Sequence, residues 1–119
     1  MNVIDKTIMK NKSNKIYHSK NHSTFILTYH IIFVCKYREK VLSIFGEYIK
    51  QIMFDISKKY DFEIKEMEVD KDHIHMMVSS VPKISPLQIV RVLKQQSTIR
   101  IWKDRYKEMK KIYWHKKTL

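Results

Sequence analysis

Apolar positions along this chain change period several times, and each change marks an element. From Thr24 to Tyr37 the β-branched and aromatic residues run nearly unbroken (Phe25, Ile26, Leu27, Thr28, Tyr29, His30, Ile31, Ile32, Phe33, Val34). A run apolar on both faces predicts a central strand. Phe45, Tyr48, Ile49, Ile52, Met53, Ile56 and Tyr60 then recur at three-and-four spacing. This predicts an amphipathic helix from Ser43 to Tyr60, with Ser43 as N-cap and Phe45, Tyr48 and Tyr60 in the core. Phe62 to Val69 alternates imperfectly, Asp70-Lys71-Asp72 reads as a turn, and His73 to Val78 alternates again, so the two segments form a hairpin. Pro82 stops the second strand. Ser85-Pro86 then opens a helix, Ser as N-cap and Pro at its first position, with Leu87, Val90, Leu93, Ser97 and Ile101 as the buried stripe. From Trp102 onward the chain is a basic, aromatic stub.

Residues 1–23 are polar and basic, with Lys6, Lys10, Lys12, Lys15 and Lys20 and no sustained period. They read as a flexible arm, either touching nucleic acid or without a role. The remaining order, strand, helix, strand, strand, helix, is that of an α+β protein on the ferredoxin-like or split βαβ plan. An antiparallel sheet carries its helices on one face over residues 24–119.

With 119 residues the chain is one domain. Its 24 Lys and Arg against 12 Asp and Glu give a net charge of +12, which implies an anionic partner, nucleic acid first. Lone Cys35 excludes an internal disulfide and any thiolate-rich zinc site, and its apolar setting makes it a small core residue. No apolar run reaches a membrane-spanning length and no signal-peptide core appears, so a cytoplasmic location is expected.

His73-Ile74-His75 carries the chemistry. Alternation puts both imidazoles on one strand face and Ile74, Met76 and Val78 on the other. Two histidines on a solvated strand explain this motif about as well as a metal grip does. As a grip, the pair is an incomplete shell that needs a third ligand and leaves positions for substrate oxygens. A metal held there polarises a phosphodiester. Tyrosine suits reversible strand transfer, because a phosphotyrosine link keeps the bond energy for rejoining. None of the seven tyrosines has an activating partner by spacing. Glu66 and Glu68 lie across the hairpin, either as exposed carboxylates or flanking the metal.

Tyr29-His30-Ile31-Ile32-Phe33-Val34-Cys35-Lys36-Tyr37-Arg38 resembles the opening strand of the single-tyrosine HUH transposases of the insertion-sequence 200/605 family. Val69 to Val78, and Ser85-Pro86 with its helix to Trp102, match in the same order. The resemblance implies a ferredoxin-like nuclease that binds hairpins in single-stranded DNA at transposon ends. His73 and His75 would be the metal ligands, holding Mg²⁺ or Mn²⁺ at the scissile phosphate. In the family a tyrosine on a C-terminal helix attacks, leaving a 5′-phosphotyrosine and a free 3′-OH. A polar residue one turn later, commonly Gln, completes the shell, and members work as homodimers. Here Tyr113 to Leu119 resembles the segment just before the last strand, so that strand and the tyrosine helix are expected to be missing. Tyr106 and Tyr113 lie too early for the nucleophile, and His115 matches no ligand.

Three readings stay open. One is a transposase with half a metal site and no nucleophile of its own. Another is a non-catalytic module for single-stranded DNA or RNA hairpins, using Tyr29, Lys36, Tyr37, Arg38, Arg91, Lys94 and Arg100 for stacking and phosphate pairing. The third is a remnant with an unpaired sheet edge.

Overall fold

The computed structural model describes residues 4–19, 22–35 and 38–117; the side chains of 5, 11–19, 22–25, 38–40 and 114–117 are not among them. The elements are β1 (Ile4–Ser19), β2 (His22–Cys35), α1 (Arg38–Ser57), β3 (Phe62–Val69), β4 (His73–Ser80), α2 (Pro86–Asp104) and α3 (Tyr106–Lys117). The strands form one antiparallel sheet in the order β1-β2-β4-β3. Ile49 and Met53 of α1 and Ser97 and Ile101 of α2 meet Cys35 and Ile74 around one small void, which puts these helices on a single face of the sheet. This is the α+β, ferredoxin-like arrangement expected.

The central strand earns its position from its side chains. Tyr29, Ile31, Phe33 and Cys35 of β2 are buried beneath the helices. Ile74, Met76 and Val78 of β4, each at most 1% exposed, continue that floor. Burying an aliphatic or Met side chain contributes about 1.5–3 kcal/mol, so this face anchors both strands against slippage.

The irregular alternation of β3 has a physical cause. A bulge between Ile64 and Glu66 inserts one extra residue, so Phe62, Ile64 and Met67 all point into the core. Glu66 and Glu68 are thereby turned to the open face.

Four expectations are corrected. Helix α1 begins at Arg38, and Ser43 lies exposed inside it instead of capping it. Val41 and Leu42, 0% and 4% exposed, carry the apolar stripe a turn further back than Phe45. At the other end Ser57 closes the helix, its hydroxyl donating to the Phe54 carbonyl at 2.7 Å. Tyr60 therefore lies beyond the helix, 39% exposed and stacked on Phe62.

The second correction concerns α2. Ser85 and Pro86 start it as expected, with a full capping box between Ser85 and Gln88. Its stripe, however, runs through Ile89, Val90, Leu93, Ser97, Thr98 and Ile101, while Leu87 in the first turn is left exposed. Third, the stub after Trp102 is largely helix. Met109, Ile112 and Tyr113 are buried at i, i+3, i+4 spacing, and Tyr113 lies 5.2 Å from the Trp102 ring.

The fourth is the basic arm. Residues 4–19 are a strand paired with β2 from Ile4 opposite Cys35 to Ser19 opposite His22. The outer edge of a central strand presents unpaired N–H and C=O groups, and β1 satisfies them. Ile4, 3% exposed, ties its start to the core. It takes the edge beside β2 that the split βαβ plan gives to its last strand.

Candidate functional site

The face of the sheet away from α1 and α2 is where the unusual side chains gather. Along β4 burial alternates strictly, leaving His73, His75, Met77 and Ser79 half-buried on the open side. Register decides their neighbours. On β2, Val34 lies opposite His73, Ile32 opposite His75 and His30 opposite Met77. On β3, Glu68 faces His75 and Glu66 faces Met77. The two imidazoles meet edge to face with ring centroids 4.3 Å apart, and His30 lies 6.0 Å from His75. Thr28 and Ser79 pair their hydroxyls at 3.5 Å further along the same face.

The turn before β4 is pinned. Cys35 N–H donates to the Asp72 carbonyl at 3.0 Å, and Asp70 N–H to the His73 carbonyl at 2.9 Å. This holds Asp72 so that its carboxylate Oδ1 contacts His73 Nδ1. A carboxylate on Nδ1 favours the tautomer whose Nε2 carries the lone pair, the arrangement that backs many metal-bound histidines. Asp70 Oδ2 stands 3.9 Å from that Nε2.

This donor set fits a divalent cation as half a shell. Two rigidly based imidazoles, one backed by a carboxylate, supply two ligands. Among the described residues no group of three His, Cys, Asp or Glu is placed to hold a metal, so any further ligands to a cation bound there would be oxygens from elsewhere. Beside the pair lies an open basin of about 280 Å³ lined by His30, Glu66, Glu68, His75 and Met77 with the backbone around Met67 and Met76. Such a volume admits a nucleobase or a phosphodiester group.

Cys35, just below this surface, is a core residue. Burial, followed by the nearby Asp72 charge, pushes its thiol up to about 12.

The expected nucleic-acid contacts are scattered. Tyr29 is 6% exposed on the helix side, and burial raises its pKa, which takes its ring out of the stacking role expected of it. Lys36 and Tyr37 lie outside the described residues, as does the Arg38 side chain. Arg91 is exposed and Lys94 half-buried on α2. Arg100 pairs with Asp55 at 3.3 Å and Asp104 at 3.7 Å, bracing α2 against α1. None of these α2 residues shares a face with the histidines.

Tyrosines are similarly placed elsewhere. Tyr113 is buried, Tyr48 donates to Asp104 beneath the Arg105 guanidinium, Tyr60 stacks on Phe62 and Tyr106 tilts against Trp102. The residue that the sequence reading left without a role is His30. Its signal was its phase: it alternates with the buried Tyr29 and Ile31, and register then sets it beside His75.

Comparison with known proteins agrees with this geometry. The sequence profile for "Transposase IS200 like" matches residues 23–119. The ISDra2 transposase TnpA of Deinococcus radiodurans is 35% identical over 91 residues, covering 74% of this chain and 63% of that protein. The transposase for insertion sequence element IS200 of Salmonella typhimurium is 27% identical over 100 residues, covering 78% of this chain and 64% of that protein. The chain thus spans just under two thirds of the length of these relatives. A crystal structure of a Deinococcus radiodurans R1 protein assigned as a transposase superposes with a TM-score of 0.65 at 27% identity, covering 75% of this chain and 68% of that one. With the profile spanning three of the four strands, the histidine strand among them, and all three helices, the chain belongs to the IS200-like transposase family.

Proposed function

We propose that the open sheet face binds single-stranded DNA at hairpin-bearing transposon ends, with His73 and His75 as ligands for Mg²⁺ or Mn²⁺. One observation carries the reading: the two imidazoles share a rigid, carboxylate-backed surface in a chain of transposase family. When bound, the cation supplies positive charge against a phosphodiester oxygen. The chain's own residues do the rest. Asp72 fixes the His73 tautomer, and the buried Ile74 and Met76 hold the ligand strand still. His30 offers an N–H to a phosphate oxygen across the basin, and Met77 packs against a base.

In the complete reaction a tyrosine oxygen attacks phosphorus as the bond to the 3′ oxygen breaks, leaving a 5′-phosphotyrosine and a free 3′-OH. No tyrosine with a described side chain touches the histidines. We therefore take the attacking tyrosine to come from a partner that carries a tyrosine helix of its own, not from this chain. This same observation supports the second reading, a DNA- or RNA-hairpin binder without cleavage.

Calorimetric titration with Mn²⁺, and anisotropy with a hairpin oligonucleotide, test the proposal on wild type and on the His73→Ala/His75→Ala double variant. The double variant should lose Mn²⁺ binding while keeping its metal-free affinity for DNA. Equal Mn²⁺ binding by the two proteins would remove the metal site. Incubation with Mn²⁺ and single-stranded DNA should give no denaturation-resistant adduct; an adduct would show that the chain carries its own nucleophile.

A further inference from the structure

The open face of the sheet is ordered by charge from one edge to the other. Register aligns Lys10 of β1, His30 of β2, Met77 of β4 and Glu66 of β3 in one row across all four strands. The next row runs from Ile8 through Ile32 and His75 to Glu68. Directly paired residues project to the same side, so each row is a strip of adjoining side chains. The first row therefore passes from a cation at the β1 edge, over an imidazole and a thioether, to a carboxylate at the β3 edge.

The carboxylate end calls for a reason, because on a face that meets a polyanion it repels phosphate. Glu66 and Glu68 stand exposed on the wall of the basin of about 280 Å³, with Met77 between Glu66 and His30. Neither has an ion-pair partner among the described residues; the neighbouring Lys65 pairs with Glu63 at 3.2 Å. The bulge between Ile64 and Glu66 turns Glu66 to this side while Met67 stays in the core.

We infer that Glu66 reads a base of the strand lying across the basin and selects guanine. The charge order orients that strand. Its phosphates run over Lys10 and His30, and a base lies on Met77 with its outer edge towards β3. From β2 to β3 is two strand spacings, roughly 9.6 Å, the reach of one nucleotide from phosphate to base edge. A carboxylate only accepts hydrogen bonds, and its two oxygens accept side by side. Guanine alone among the DNA bases sets two donors together on its Watson–Crick edge, N1–H and the N2 amine. Adenine and cytosine place a ring-nitrogen acceptor beside their amine, and thymine flanks N3–H with two carbonyls. Each of these turns a lone pair towards Glu66. An unpaired base has this edge free, whereas pairing in a duplex occupies it. The Met77 thioether supplies a polarisable surface beneath the ring. This rests on the reading of the face as a single-stranded DNA site and deepens it.

The test measures anisotropy with short, unstructured oligothymidylates carrying isolated dG, or deoxyinosine, dA or dC at the same positions. Deoxyinosine keeps N1–H and lacks only the N2 amine. Wild type should bind the dG probe about tenfold more tightly than the deoxyinosine probe, the scale of one hydrogen bond to a charged group. In Glu66→Gln an amide donor replaces one acceptor, and the ratio should fall to within about twofold. Glu63→Gln, on the same strand but outside the basin, removes the same charge and should keep the ratio. Circular dichroism and thermal melting verify the fold of both variants. Equal binding of dG and deoxyinosine by wild type, or tighter binding of dA or dC, would overturn the base-reading role. So would a ratio that survives in Glu66→Gln or vanishes equally in Glu63→Gln; in each case the histidine face is left standing. A wild-type protein that binds none of the probes would instead overturn the DNA reading itself, and this inference with it.

Discussion

His30, Cys35 and Arg100 show how little a residue's type says until its neighbours are known. His30 sits in an apolar run, yet shares the open face with His75. The His30→Ala variant should weaken single-stranded DNA binding roughly three- to tenfold, the scale of one ordinary hydrogen bond, and leave Mn²⁺ affinity unchanged. Parallel anisotropy and calorimetry check both halves. Cys35 titrates near 12 against an ordinary value of 9.0, so the folded state favours its neutral thiol. That contribution to stability is complete below pH 9 and is lost as pH rises towards 12. Alkylation by iodoacetamide at pH 8 should accordingly be slow in the native protein and fast in urea; equal rates would place the thiol at the surface. Arg100, expected at a phosphate, is ion-paired to two aspartates at 40% exposure. Arg100→Ala should cost at most about 1 kcal/mol of stability and leave DNA affinity within twofold.

The elements divide by where their instructions lie. Helix α2 is written locally, in a Ser85–Gln88 capping box and Pro86 at its first position. Ser85→Ala should cost about 1 kcal/mol and lower the melting temperature by about 4 °C, read by calorimetry. The hairpin of β3 and β4 was equally legible, turn included, because Phe62 to Val69 and His73 to Ser80 alternate around three polar residues. Strand β1 was not. Its lysines and asparagines carry no period, and its conformation comes from pairing with β2, a non-local contact. Removing residues 2–21 should expose the β2 edge and produce aggregates in size-exclusion chromatography; a monomer with unchanged melting temperature would mean that β1 shields nothing. The bulge in β3 is another non-local decision. Without it Glu66 would point into the core and Met67 out.

For the whole molecule the long β1–β2 pair dominates the dimensions. The Cα radius of gyration is 15.8 Å, against about 13.5 Å for a compact chain of this length. Small-angle scattering of monomeric protein without DNA should therefore give a maximum dimension near the 59 Å of the structure plus a hydration layer. A value of about 40 Å would mean that the long β1–β2 pair folds back on the sheet. Charge acts at this scale too. A net +12 favours encounter with polyanions from any side, so it points to a class of partner without pointing to a surface.

Sequence alone determined the period-specified elements, the helix cap, the in-phase pair His73 and His75, and the family to which their order belongs. These are short-range patterns: alternation and capping act within a few residues, and a motif needs no partner to be read. Tertiary structure decided which strand flanks which. It thereby placed His30 and the glutamates beside the histidines, buried Tyr29, tied Arg100 to aspartates and turned a basic arm into an edge strand. Register and edge pairing depend on segments far apart in the chain, and no local periodicity encodes them.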